Sequence, residues 1–157
     1  MKIVIATDIY PPEIGGPAEY AANLIKIWES QGHQVSLKIF SKLNKYPWGI
    51  RHILFLLYSI PNVIKADFIL ALGVFSGGVM TILSTLLFKK IIFRTGGDLL
   101  WESYVERTGD LVLLREFYKT RCHLFSLKEK LIFYLTQWML HNLSAIIWST
   151  EWQKNIF

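Results

Sequence analysis

The sequence predicts a doubly wound α/β fold, in which a parallel sheet has helices on both faces. Three observations lead to this prediction. The chain begins with an apolar strand, a glycine loop and a helix, the usual opening of a nucleotide-binding type of sheet. Short β-branched runs then alternate with helical patterns along the chain. Its 157 residues, 52% of them hydrophobic, are enough for one domain with a substantial core.

The opening stretch organises the rest of the prediction. Residues 3–6 are apolar and β-branched, as in a buried strand. The loop that follows contains two prolines and the pair Gly15–Gly16, after which Pro17 suits the first position of a helix. Gly32 is a natural helix stop. The N-terminus of this helix points out of the carboxyl edge of the sheet, where N–H groups and the helix dipole favour an anion.

The later elements follow from the same patterns. We expect four more strands, over residues 34–40, 67–72, 90–94 and 145–148. Helices are expected over residues 50–64, 76–88, 111–121 and from 126 to about 142, with 99–109 irregular or one short helix. Pro61 should kink its helix or start it afresh. Capping boxes begin at Ser126 and Thr150, and the second opens a helix just before the sequence stops, so we expect a longer native chain.

Right-handed crossovers between these elements predict a Rossmann-like parallel sheet of about five strands in the order 3-2-1-4-5. The loops after strands one, three and four should lie at its carboxyl edge. Residues 68–88 have an alternative interpretation, because they are uncharged and long enough to span a bilayer. Gly73, Gly77 and Gly78 divide this stretch into strand, turn and helix, which favours the sheet.

The composition limits the classes of partner. Seventeen basic and twelve acidic residues give a formal net charge of +5, which favours phosphate-bearing or anionic-lipid partners. The charge is not clustered as nucleic-acid binding requires, so no nucleic-acid partner is expected. Cys122 is the only cysteine, which excludes an intrachain disulfide and is compatible with the cytoplasm. No second pair of ligands accompanies Cys122–His123, so we expect no metal site.

The helices over residues 111–143 interleave basic and aromatic side chains. Most of these aromatic residues are expected in the core, because helices that pack on a sheet need them. The alternative is a basic, partly apolar face against anionic lipid, which would suit a lipid-linked substrate.

Gly15–Gly16 is the first candidate site. The pair either makes a tight turn that needs positive φ or lets the backbone approach a ligand closely. The loop is not G-x-G-x-x-G, and no acidic residue ends strand two, which argues against a dinucleotide dehydrogenase. No Gly-Lys-Ser/Thr follows, so the loop is not a Walker loop either.

The second candidate site follows strand four and should face the same crevice. It contains Gly96, Gly97, Asp98 and Glu102. Two carboxylates four residues apart can lie on one side of a helical turn, where they bind sugar hydroxyls or act as base and acid. The alternative is that Asp98 caps a short helix and Glu102 is a solvated acid in its first turn.

Several motifs together resemble a known family. They are DIYPPEIGGPAEY over residues 8–20, GHQV over 32–35, RTGGD over 94–98 and STEWQ over 149–153. They resemble the N-terminal domain of family 4 glycosyltransferases of the GT-B fold, and the RTGGD loop resembles that of a bacterial subset. The resemblance covers the whole chain.

This resemblance implies an architecture and an activity. In the family, two Rossmann-like domains face each other across a cleft. The first binds mainly the acceptor, while the second binds the nucleotide sugar and has a Glu-x7-Glu motif. Transfer retains the anomeric configuration and needs no bound metal. Residues 1–157 would then be the acceptor-side domain, without the C-terminal donor-binding domain and inactive alone. The nucleotide sugar would be a substrate, and no cofactor is expected.

The resemblance also implies roles for individual residues. Gly15 and Gly16 would approach the donor phosphates, and Gly97 would lie in the substrate-binding loop. Asp98 and Glu102 would order the acceptor or the transferred sugar, as the catalytic candidates. Many members have a histidine after strand four, and Asp98 is the candidate in its place.

The implied acceptor is a glycan or lipid-linked sugar, which would place the protein in the cytoplasm or at the inner face of the membrane. The alternative is a stand-alone sugar- or nucleotide-binding module, or one subunit of a two-chain transferase. Exposed apolar surface at the carboxyl edge would favour a partner domain or subunit, and a fully polar edge would favour the module.

Overall fold

A computed structural model of the chain describes residues 1–155, which form one parallel sheet flanked by helices. The strands are β1 (Lys2–Thr7), β2 (Gln34–Ile39), β3 (Phe68–Ala71), β4 (Lys90–Arg94) and β5 (Ala145–Ile147). The helices are α1 (Gly16–Ser30), α2 (Trp48–Lys65), α3 (Val74–Leu86), α4 (Leu99–Thr108), α5 (Leu114–Thr120), α6 (Leu127–His141) and α7 (Glu151–Lys154). Short 3-10 turns cover Ser41–Leu43 and Cys122–Leu124. The predicted α/β class is confirmed.

The predicted strand order is wrong in one respect. The observed order is β2-β1-β3-β4-β5, so β3 lies between β1 and β4 and not at an edge. Leu70 pairs with Ile5 of β1 on one side and Ile92 of β4 on the other. The reason is polarity, because β3 is uncharged and largely buried, as a central parallel strand must be. The more polar β2 (QVSLKI) takes the edge.

Helices cover both faces of the sheet, as predicted. Alternate residues of β1 point to opposite sides, so that Val4 packs in a core with α2, α3 and α6, whereas Ile5 packs against α1. A third cluster joins α4, α5 and α6 around Tyr104 and Phe117, both nearly inaccessible to solvent. Many aromatic residues of the stretch 111–143 therefore lie in or against this core.

Two helices differ from the prediction at their boundaries. α2 runs through Pro61 as a single helix and does not start afresh there. Pro61 is exposed, so the carbonyl that loses its N–H partner at the proline can be hydrated. Residues Leu99–Thr108 form helix α4, the helical alternative for this stretch, which ends at Gly109 with φ +71°.

The uncharged stretch 68–88 is divided between β3 and α3, with Leu72 and Gly73 between them. Within residues 1–155, no helix is long and apolar enough to cross a bilayer.

We expect Glu129→Gln to lower the free energy of unfolding by about 2 kcal/mol at pH 7, because it breaks a half-buried ion pair between α4 and α6. Arg107 donates from Nε to Oε1 at 3.0 Å and from Nη2 to Oε2 at 2.9 Å. The Ser126 N–H also donates to Oε2, at 2.7 Å, and completes a capping box. The Glu129 side chain is 7% exposed and that of Arg107 is 47% exposed.

The same contacts make this contribution depend on pH. Burial raises the pKa of Glu129, but Arg107 and Ser126 outweigh it and hold that pKa below its ordinary value of 4.5. A carboxylate with a lowered folded pKa stabilises the fold above its unfolded pKa, and this stabilisation is lost as the pH falls through the folded value. The difference between wild type and Glu129→Gln should therefore shrink below about pH 4.5.

Urea unfolding at neutral and acidic pH measures both effects. Glu116→Gln is the matched control, because Glu116 pairs with Arg115 at 3.5 Å on the open surface. We expect this control to change stability by less than about 0.5 kcal/mol. Equal losses in the two variants would contradict a structural role for the Arg107–Glu129 pair.

Candidate functional site

The Gly15–Gly16 loop leaves β1 and opens α1 at the carboxyl edge of the sheet. Gly15 is the N-cap of α1, and its carbonyl accepts from the N–H groups of Ala18 at 3.0 Å and Glu19 at 3.2 Å. No side chain caps this helix. The φ of Gly15, 164°, is extended backbone, and among the described glycines only Gly32 and Gly109 lie in the left-handed region of φ. The turn with positive φ is therefore not the reason for the glycine pair.

The two glycines differ in what a side chain would meet. A Cβ at Gly15 would lie 2.5 Å from Ile9 Cδ1, so packing inside the loop favours glycine there. A Cβ at Gly16 would meet no protein atom within 4 Å. Nothing inside the chain therefore requires glycine at position 16, and the surface before it is open to a ligand.

Asp98 is the N-cap of α4 and is 8% exposed. Its Oδ1 accepts from the Trp101 N–H at 2.8 Å, and its Oδ2 accepts from the Tyr118 hydroxyl at 2.7 Å. Burial raises the pKa of Asp98, while these two donors oppose the rise. The capping alternative is thus present in the structure, and both carboxylate oxygens of Asp98 already accept hydrogen bonds.

Glu102 lies one turn later, on an exposed position of α4. Its carboxylate folds back over Gly97, so that Oε1 lies 1.9 Å from the place of a Cβ at residue 97. Burial raises the pKa of Glu102, and the charge of Asp98 raises it further. Gly97 therefore makes room for Glu102, which is the more accessible of the two carboxylates.

The structure brings the two glycine loops together. Pro17 Cγ lies 4.0 Å from the place of a Cβ at Gly96. Close by, the Arg94 guanidinium lies 4.0 Å from the centre of the Tyr20 ring and links the end of β4 to α1. The β1–α1 and β4–α4 loops therefore share one part of the carboxyl edge, although β3 separates their strands.

Gln153 holds the second loop in place. Its Oε1 accepts from the Thr95 hydroxyl at 2.8 Å, and its Nε2 donates to the Gly96 carbonyl at 3.2 Å. The Thr150 hydroxyl accepts from the Gln153 N–H at 3.1 Å, as a capping residue does. The predicted capping box at Thr150 is only half formed, because the Gln153 side chain reaches across to the end of β4.

A cavity of about 390 Å³ opens beside this loop, between β4, β5 and the helices α3, α4, α5 and α6. Its lining is mainly apolar: Val74, Phe93, Leu99, Leu100, Ile132, Phe133, Leu140, Ile146 and Trp148. Polar groups reach it from Thr95, Asp98, Tyr118, Thr136, Gln137, His141 and Gln153, and Gly97 also lines it. Gly15, Gly16 and Glu102 are outside the lining. The predicted site thus divides into an apolar cavity and an open rim, which is formed by Gly15, Gly16 and Glu102.

Sequence reasoning assigned no role to Asp8, although its position carried a signal. Asp8 directly follows β1, and polar residues after buried strands collect at the carboxyl edge. Its Oδ1 accepts from the Ser76 N–H at 2.7 Å and its Oδ2 from the Phe75 N–H at 3.2 Å. Burial raises the pKa of Asp8, while these N–H groups and His52 oppose the rise. Asp8 thereby fills the N-terminus of α3, whereas no side chain fills that of α1.

No protein-family model matches the chain, and no curated protein matches it. Residues 1–155 contain no group of three or more His, Cys, Asp and Glu side chains placed to hold a metal ion.

Proposed function

We propose that this chain is the acceptor-side domain of a retaining glycosyltransferase of the family 4 type. It would transfer a sugar from a nucleotide-sugar donor to a glycan or lipid-linked acceptor, and would need a donor-binding domain for activity. The cytoplasm, or the inner face of the membrane, is the expected place of such a protein. The sequence motifs suggest this function, and the geometry of the carboxyl edge supports it.

The observation that carries the proposal is the approach of the two glycine loops, with Pro17 Cγ 4.0 Å from the place of a Cβ at Gly96. Gly16 presents open backbone at the N-terminus of a helix that no side chain caps, which suits a diphosphate. The cavity beside Gly97 is apolar enough to take the lipid of a lipid-linked acceptor. Donor phosphates and acceptor would then meet at one edge.

The two carboxylates have different roles in this proposal. Asp98 is a positioning residue, because its oxygens hold α4 and Tyr118. Glu102 lies at the rim, where its carboxylate can accept hydrogen bonds from sugar hydroxyls. Gly97 allows Glu102 to fold over the loop.

The alternative is a stand-alone sugar- or nucleotide-binding module, or one subunit of a two-chain transferase. These proposals differ in what covers the carboxyl edge. Ile14, next to the glycine pair, is 97% exposed, and Trp152 on α7 is 55% exposed. Apolar side chains in the open at this edge favour a partner domain or subunit over a module that works alone.

A transfer assay on the complete protein tests the proposal. Labelled UDP-, GDP-, ADP- and dTDP-hexoses are offered with two acceptors, a polyprenyl-diphosphate-linked sugar and a free oligosaccharide. We expect one donor to give a product with retained anomeric configuration, at a rate unchanged by EDTA. Tight binding of a sugar or nucleotide without any transfer would support the binding module instead.

We expect Glu102→Gln to lower kcat/KM for transfer at least tenfold, because the amide is a weaker acceptor for sugar hydroxyls than a carboxylate. The ionised form of Glu102 is the active one in this role. Since burial and Asp98 raise the pKa of Glu102, wild-type activity should rise with pH through a value above its ordinary 4.5.

Asp98→Asn is the comparison for Glu102→Gln, because asparagine retains the capping oxygen at the start of α4. We expect a smaller loss of kcat/KM with Asp98→Asn, and its activity should still fall at acidic pH as in wild type. In Glu102→Gln this fall at acidic pH should be absent. A wild-type pH profile in Glu102→Gln would remove Glu102 from the reaction.

A further inference from the structure

Helix α2 has an exposed apolar stripe along its outer face. Ile50, Ile53, Leu57 and Ile64 are 50%, 62%, 56% and 52% exposed. Their spacing of three, four and seven residues places them on one side of the helix. The opposite side is buried in the core through Phe55, Ser59 and Val63. α2 thus packs on the sheet with one face and leaves a second apolar face uncovered.

Positive charge accompanies this stripe. The cations Arg51 and Lys65 lie along one flank of it, with the uncharged Tyr58 seven residues from each. Lys65 is exposed, Tyr58 is 57% exposed, and Arg51 is partly exposed and donates to Asn44 at 3.0 Å. Lys42 and Lys45 are exposed in the segment just before the helix.

The whole net charge of the protein arises in this region. Residues 34–66 contain five Lys and Arg and no Asp or Glu, while the rest of the chain has twelve of each sign. A count over the complete sequence therefore hides a local cluster. Of the five, Lys38 is buried and donates to the Tyr58 carbonyl at 3.2 Å. The other four are at least partly accessible.

We propose that α2 and the preceding segment 42–47 form a docking surface for an anionic lipid bilayer. The apolar stripe would enter the boundary between headgroups and acyl chains, with the helix lying in the plane of the membrane. The basic residues beside it would meet anionic headgroups. Tyr46, Trp48 and Tyr58, which are 39%, 43% and 57% exposed, are of the aromatic types that collect at this depth.

Charge complementarity favours a bilayer over other occupants of this face. Two copies joined through α2 would bring surfaces of the same sign together, which costs free energy. A nucleic acid would pair with the cations but leave the four apolar side chains exposed. An anionic bilayer buries the stripe and neutralises the cations together.

The surface begins at the edge of the sheet that holds the glycine loops and runs along α2 toward the opposite edge. α2 begins after β2, at the carboxyl edge, and the Ser41 N–H donates to the Asp8 carbonyl at 3.0 Å. The basic end of the docking surface is thereby tied to the β1–α1 loop. This inference does not rest on the proposed function, because lipid binding can be measured without any transfer.

Co-sedimentation with vesicles tests the inference. We expect the full chain to bind vesicles of phosphatidylglycerol and phosphatidylcholine in equal parts, and to be released by salt of about 0.5 M. Vesicles of phosphatidylcholine alone should bind it at least about tenfold more weakly. Ile53→Asp combined with Leu57→Asp should weaken binding by at least about tenfold. Lys42→Glu with Lys45→Glu, at two exposed positions, should have a similar effect.

Leu131→Asp combined with Leu135→Asp is the matched control. These residues form a comparable exposed pair on α6, 46% and 51% exposed, within the stretch where the sequence first suggested a lipid contact. We expect this variant to bind vesicles like wild type. Loss of binding only in the α6 variant would overturn the assignment to α2. Absence of vesicle binding, or self-association that depends on Ile53 and Leu57 in its place, would overturn it as well.

Discussion

Gly73→Ala is expected to lower the free energy of unfolding by about 3 kcal/mol, because the new methyl group would overlap the half-buried carboxylate of Asp8. The backbone is not the obstacle, since φ −146° and ψ 154° at Gly73 suit any residue. The Cβ would lie 2.2 Å from Asp8 Cγ. Asp8 is short and is held by the N–H groups of Phe75 and Ser76, so it can move only by losing those hydrogen bonds.

Gly78→Ala is the control for this prediction. A Cβ at Gly78 would meet no atom within 4 Å, and the substitution removes a glycine from inside helix α3. We expect it to stabilise the protein by about 0.5 to 1 kcal/mol. A double-mutant cycle then identifies the cause, because Gly73→Ala should cost much less in an Asp8→Ala background. Additive losses in urea unfolding would show that the clash with Asp8 is not the reason for Gly73.

Gly16→Val is expected to lower sugar transfer by the complete protein at least about a hundredfold while leaving the fold intact. The valine side chain would project into open space, since nothing lies within 4 Å of a Cβ at Gly16. Unfolding free energy should therefore change by less than about 1 kcal/mol. The side chain would keep a diphosphate away from the exposed backbone of Gly16 and from the positive end of the α1 dipole.

Gly78→Val provides the comparison for Gly16→Val, since that position is equally unobstructed but lies inside α3. Transfer rates and urea unfolding are measured for both variants. Turnover at the wild-type rate in Gly16→Val would remove the phosphate role from this loop. An equal loss of transfer in the two variants would indicate a general effect of a β-branched residue in a helix.

Local patterns predicted most of the fold. The β1–loop–α1 unit lies where the apolar run, the glycine pair and Pro17 place it, because these signals act over neighbouring residues. The strand order was wrong because it depends on which strand is best buried between two others. The polarity of β2 against β3 is the signal that would have corrected it.

The candidate site was less predictable, because its contacts join distant parts of the chain. Spacing indicated that Asp98 could cap a helix, but not that Tyr118, twenty residues later, donates to its second oxygen. The capping pattern at Thr150 led to an expected local contact for the Gln153 side chain, which instead binds Thr95 and Gly96. Such tertiary contacts leave no periodic trace in the sequence.

Hydrogen–deuterium exchange on the complete protein tests the central claim most directly, namely that the two loops form one substrate site at the carboxyl edge. The exchange is compared with and without the nucleotide-sugar donor and acceptor that support transfer. We predict slower exchange in peptides covering residues 8–20 and 94–104, and no change around residues 30–34 at the opposite edge. Exchange rates that stay unchanged in both loops when donor and acceptor are added would contradict the proposed site.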